Sequence, residues 1–122
     1  MKKLQNNFTT PEQSKRLLDL GLPADSADML WDGTIDANEG WIFEDFPIYS
    51  DKPFSYYQLL YRQEDAVHIL PCWSVGRLIE IYCILTGARE FKMHTINTLV
   101  EEIIYLLNAI KVNGADFSKL VE

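Results

Sequence analysis

The chain has 122 residues, 48% of them hydrophobic and 24% charged, with a net charge of −7. That length fits one domain with a core able to stand without staples, and the composition is that of a folded soluble protein rather than a disordered one. The charge argues against the basic face on which DNA and RNA binding depend, so no direct nucleic-acid binding is expected. No apolar run approaches the roughly 20 residues of a membrane span, so no membrane partner is expected either.

Met1 to Phe8 carries two lysines with no apolar run behind them and does not read as a secretory signal. The first helix is well marked: Thr10 is the expected N-cap, Pro11 takes the first helical position and Gln13 completes a capping box. Leu17, Leu18 and Leu20 give its apolar stripe and Gly21 its stop. Leu22-Pro23 turns the chain, and a turn-type cluster at Asp25, Ser26 and Asp28 precedes Met29-Leu30-Trp31, the expected first strand. Residues 32–55 are rich in turn signals: Asp32-Gly33, Asn38, Gly40, Pro47, Ser50-Asp51 and Pro53. The pieces between them, Trp41-Ile42-Phe43 and Ile48-Tyr49, predict short strands in a meander or a pair of hairpins. Residues 55–63 stay open, since their tyrosines favour strand while Leu59, Leu60 and the glutamines permit helix.

From Ile69 to Ile81 the chain reads as an extended run broken by Pro71, then Ser74 capping an amphipathic helix. Val75, Leu78, Ile79, Tyr82 and Leu85 share one face of that helix, and Gly87 ends it. Thr95 or Thr98 caps the last and longest helix, with Glu101 and Glu102 near its positive end and Lys111 near its negative end. Ile96, Leu99, Val100, Ile103, Ile104, Leu106, Leu107 and Ile110 make a stripe wide enough for deep burial, and Asn113-Gly114 stop the helix. The order predicts a single α+β domain over 1–122: a small antiparallel sheet with about three helices packed mainly on one face.

The chemistry-bearing residues are few. Cys72 and Cys83, if on one continuous helix, would lie about 16 Å apart, well past the roughly 7 Å a disulfide allows. Two free thiols in a reducing cytoplasm is the expectation. His68 and Cys72 form an H-x3-C spacing with Glu64 and Asp65 just before it, but a second ligand pair is missing, so no metal is expected. Ser74 is explained as a helix cap. Cys72, just ahead of that helix, is expected to feel a dipole that lowers its pKa, which makes Cys72 with His68 the candidate reactive junction. Glu44-Asp45 and Glu101-Glu102 are not arranged as acid–base dyads, since adjacent residues point apart on a strand or helix. No glycine-rich loop follows a strand. No catalytic residue or cofactor is assigned, and the protein is expected not to be an enzyme.

The charge layout says more. Residues 1–30 balance to zero and residues 67–122 come to −1, whereas residues 31–66 hold eight acids against two bases, or −6. The same third carries nine of the fifteen aromatics. Two readings follow: a sheet with aromatics inward and acids outward, or a recognition surface in which Trp and Tyr anchor a partner that the acids steer. The candidate partner surface is Glu39, Trp41, Glu44, Asp45, Asp51 and Tyr56. The leading expectation is a small accessory protein that binds another protein through this surface, with a homodimer as its self-association version. The rivals are an acidic inhibitor that mimics nucleic acid and a small cysteine-dependent enzyme using Cys72 and His68. Trp73, Arg77 and Glu80 are explained locally by stacking or an i,i+3 ion pair.

Three stretches carry a resemblance: Phe8-Thr9-Thr10-Pro11-Glu12-Gln13-Ser14 running on to Leu22-Pro23-Ala24-Asp25-Ser26-Ala27-Asp28, then Pro71-Cys72-Trp73-Ser74-Val75-Gly76-Arg77-Leu78-Ile79-Glu80, and Asp116-Phe117-Ser118-Lys119-Leu120. Together, over roughly a third of the chain, they resemble an uncharacterised family of small proteins from intestinal anaerobic bacteria and their phages or mobile elements. The resemblance implies a cytoplasmic accessory protein of viral or mobile-element context and carries over no functional residue.

Overall fold

The computed structural model of the protein describes residues 7–36, 40–43, 47–61, 67–88 and 99–121, with backbone alone at 34–36, 40–43, 61, 67, 68, 99, 119 and 121. The elements run α1 (Pro11–Leu20), a 3-10 turn (Ala24–Ser26), β1 (Met29–Asp36), β2 (Gly40–Phe43), β3 (Ile48–Tyr49), α2 (Phe54–Tyr61), β4 (Val67–Cys72), α3 (Val75–Thr86), α4 (Leu99–Val112) and a closing 3-10 turn (Phe117–Val121). This is the expected α+β class, an antiparallel sheet with helices.

The sheet is organised around β1, whose residues pair antiparallel with β2, β3 and β4. Met29 and Leu30 pair with β3 and β4 at once, and Gly33 and Thr34 with β2 and β4 at once. A strand has two edges, so β4 lies along one edge of β1 while β3 and β2 share the other, end to end. Asp32-Gly33 is therefore not a turn but the middle of β1. A reversal there would need left-handed backbone, whereas double-sided pairing holds these residues extended. Pro71 likewise does not break its strand. It has no N–H to give, and β4 is paired to β1 alone among the described residues, an edge position that tolerates proline.

Strand alternation divides the burial. Met29 and Trp31 on β1 face the same way as their neighbours Cys72 and Leu70 on β4, and these four pack together with Phe8 and Leu18 of α1. Leu30 and its partner Pro71 have the opposite parity and are buried too. The larger core lies among the helices: Leu17 of α1, Leu78 and Ile81 of α3, Val100, Ile103, Ile104 and Leu107 of α4, with Leu22, Ala27, Trp73 and Phe117. Thus α1, α3 and α4 share one core, and α2 is a fourth helix, lying against β4 and the first 3-10 turn. Residues 55–61 of the ambiguous segment are helical, and 62 and 63 lie outside the described residues.

Helix ends follow their chemistry. Thr10 Oγ1 accepts from the Gln13 N–H at 3.2 Å while Gln13 Oε1 accepts from the Thr10 N–H at 3.0 Å, a complete capping box. Gly21 closes α1 at φ 109°, a left-handed turn that favours glycine, and a Cβ there would meet the Lys111 ammonium at 2.8 Å. Between α1 and α4, Glu101 accepts from Arg16 Nη1 and Gln13 Nε2, both at 2.7 Å.

Candidate functional site

The junction from β4 to α3 is a polar clamp inside an apolar core. Thr9, fully buried, brings the N-terminal segment beside β4: its N–H donates to the Trp73 carbonyl at 2.9 Å, and its Oγ1 accepts from the Trp73 N–H at 3.1 Å. Thr9 Oγ1 also lies 2.7 Å from the Ser14 hydroxyl, and the Thr9 carbonyl accepts from Trp31 Nε1 at 2.9 Å. The Trp73 indole is fully buried and donates to Ser26 Oγ at 3.1 Å. Arg77 Nε donates to the Ser26 carbonyl at 2.7 Å and its guanidinium pairs with Glu80, the expected i,i+3 ion pair.

Ser74 caps α3, its Oγ accepting from the Arg77 N–H at 3.1 Å. Asp28 supports that cap, taking the Ser74 N–H at 2.9 Å on one oxygen and the Ser74 hydroxyl on the other. Asp25 acts in the same way at the start of α2, accepting from the Ser55 N–H at 2.8 Å and the Ser55 hydroxyl at 3.1 Å. Both carboxylates sit where a helix N-terminus favours negative charge. The turn-type pattern at 25–28 signals a turn but not these bonds, because the helices being capped lie 30 and 46 positions away.

At the reactive junction the expected lowered thiol is corrected. Cys72 is fully buried among Met29, Trp31 and Leu70, and burial pushes its thiol up to about 12, with hydrogen bonding to Thr9 pulling only partly the other way. The desolvation of a thiolate outweighs the dipole of a helix that begins three residues later. His68 lies four residues before Cys72 on the same strand, so about 13 Å of extended backbone separates them. The spacing that would make them neighbours on a helix keeps them apart on a strand. The His68 side chain lies outside the described residues. Cys72 and Cys83 are both free, and among the described residues no three His, Cys, Asp or Glu side chains converge as metal ligands.

Of the candidate partner surface, Glu39, Glu44 and Asp45 lie outside the described residues, as does the side chain of Trp41, whose backbone is in β2. Asp51 and Tyr56 are both exposed and close to one another in the fold. Asp51 accepts from the Tyr57 hydroxyl at 2.8 Å, which raises the Tyr57 pKa above its ordinary value. The Lys52 ammonium lies 5.8 Å from the Tyr56 ring centre, and the Tyr56 and Tyr57 rings meet edge to face at 5.2 Å.

Tyr56 is the one residue of α2 on the candidate surface, which does not include Leu59 or Leu60. The inward side of α2 is Phe54, buried, and Tyr57, half-buried. Its outward side is also apolar: Tyr56, Leu59 and Leu60 occupy i, i+3 and i+4, one stripe of a helix. Leu59 is 65% exposed, Leu60 57% and Tyr56 48%, and in β3 Tyr49 is 73% and Ile48 50% exposed. Of eight large apolar or aromatic side chains in solvent among the described residues, these are five, all within residues 48–60. Beside them opens a polar cleft of about 660 Å³ between residues 49–53 and the start of α3, with Asp25, Asp28, Asp51 and Glu80 as its acids and Lys52 and Arg77 as its bases.

Among the described residues no helix is long and apolar enough to cross a membrane. No protein-family model, no curated protein and no solved structure matches the chain.

Proposed function

We propose that the protein is a non-catalytic accessory module that binds another protein through the acidic, aromatic surface of residues 31–66. One observation supports the reading: Ile48, Tyr49, Tyr56, Leu59 and Leu60 are each exposed within a span of thirteen residues, where a purely structural helix and strand would turn such side chains inward. The aromatics of this third thus divide. Trp31 and Phe54 serve the interior, while Tyr49 and Tyr56 are left as anchors of the kind that dominate interfaces. A cytoplasmic setting tied to phages or mobile elements, implied by the resemblance, belongs to the same proposal.

The experiment is capture from host lysate with tagged wild type and with a variant in which Glu39 and Glu44 become Gln and Asp45 and Asp51 become Asn. Capture of a protein by wild type and its loss from the folded variant is the expected result. Equal capture by both would make the acids ordinary solvation and refute their part in binding.

A further inference from the structure

Resting on that protein-binding reading, we infer that the outward face of α2 receives a cationic amphipathic helix from the partner protein. Tyr56, Leu59 and Leu60 form a ridge at i, i+3 and i+4, the geometry that packs against the apolar stripe of a second helix. A helix apolar on both sides is normally enclosed on both sides, and here, among the described residues, it is the Phe54 and Tyr57 side that is covered.

The charges select the kind of helix. Asp25 and Asp51 flank the N-terminal end of α2, bonded to Ser55 and Tyr57, and Asp28 lies in the adjoining cleft bonded to Ser74. All three bond to uncharged donors, so their negative charge is not cancelled by those contacts. Glu80 is matched by Arg77, and Lys52, 5.8 Å from the Tyr56 ring centre, is the other base lining the cleft among the described residues, so Asp25, Asp28 and Asp51 outnumber it there. A second copy of this chain would bring its own Asp25, Asp28 and Asp51 to the same face, and like charges across an interface are costly. A helix with Leu-type residues on one side and Lys or Arg on the other meets both the ridge and the acids.

The test uses the full chain and a fluorescein-labelled peptide of repeating Leu-Lys-Lys-Leu-Leu-Lys-Leu, with a Glu-for-Lys counterpart, read by fluorescence anisotropy across a salt series. The Lys peptide is expected to bind wild type and the Glu peptide to bind at least about tenfold more weakly. Leu59→Ser/Leu60→Ser, whose side chains are exposed and whose melting should match wild type, is expected to weaken the Lys peptide about tenfold or more. Asp51→Asn is expected to weaken it a few-fold and flatten its salt dependence. Equal binding of the Lys peptide to wild type and Leu59→Ser/Leu60→Ser would overturn the assignment to α2. Equal binding of both peptides, lost in the leucine variant, would overturn the cationic chemistry while leaving the protein-binding reading intact. A wild-type dimer in sedimentation that the leucine variant dissociates would assign the face to a second copy and overturn the proposal.

Discussion

Replacing Thr9 by Val keeps the shape of the side chain and removes one oxygen from the centre of the fold. In the native protein that oxygen accepts the Trp73 N–H at 3.1 Å and sits 2.7 Å from the Ser14 hydroxyl, with Thr9 and Ser14 both fully buried. In the variant the Trp73 N–H is left buried without that partner, at about 1–3 kcal/mol. The Ser14 hydroxyl suffers less, because a helical serine can turn to the carbonyl four residues back, here that of Thr10. The sum is about 2–4 kcal/mol, a large share of the 5–15 kcal/mol typical of a domain, and a fall in Tm on the order of 10 °C. Thr9→Ser keeps the oxygen and loses a methyl, so about 1 kcal/mol is expected. Urea unfolding of both variants separates the hydroxyl from the packing. A Thr9→Val protein no less stable than Thr9→Ser would refute the clamp as a stabilising network.

Four further outcomes follow from single sites. Cys72 should resist a thiol reagent in the native protein while Cys83, partly exposed, reacts, and both should react in denaturant; two fast thiols in the native state would contradict the burial. Because the Cys72 thiol stays protonated to about 12 in the fold but titrates near 9 when unfolded, it does not affect stability below pH 9. Between pH 9 and 12 the unfolded state gains by ionising, so wild type should lose up to about 4 kcal/mol relative to Cys72→Ala; parallel pH curves would refute this. Asp51→Asn should bring the Tyr57 titration down towards the ordinary tyrosine value, read by ultraviolet difference absorbance, whereas an unchanged tyrosine titration would show that the Asp51 bond is not kept in solution. Gly87→Ala meets no neighbouring atom but must hold φ at 76°, so about 1 kcal/mol of stability should be lost through backbone strain alone.

Local signals were the legible ones. The capping box at Thr10 and Gln13, the Ser74 cap and the glycine stops at Gly21 and Gly87 each depend on atoms within a turn of one another, and each is found where the residues put it. What escaped depends on distant partners. Asp32-Gly33 has the composition of a turn, yet strands on both edges of β1 hold it extended. Pro71 reads as a break until β4 is known to lie at an edge. Residues 55–63 stay open in the sequence because α2, which takes up 55–61 of them, is apolar on two sides and so lacks a clear period, and its first turn is capped by Asp25 rather than by a neighbour. Of the candidate surface, the concentration of acids and aromatics in one third was visible from the start. That Leu59 and Leu60 stand outside beside Tyr56 was not, since leucines in an aromatic segment read as core. The Cys72 thiol reads as lowered because proximity to a helix start is visible in sequence while complete burial is not.

The exposed apolar face of α2 is the proposed binding surface. It is tested most directly by comparing capture from host lysate by wild type and by Leu59→Ser/Leu60→Ser at matched folded concentration, with thermal melting of each as the control. The expected result is a protein retained stoichiometrically by wild type and lost from the variant while the two melting curves coincide. A partner held equally by both, or a variant that melts well below wild type because those leucines are structural, would contradict it.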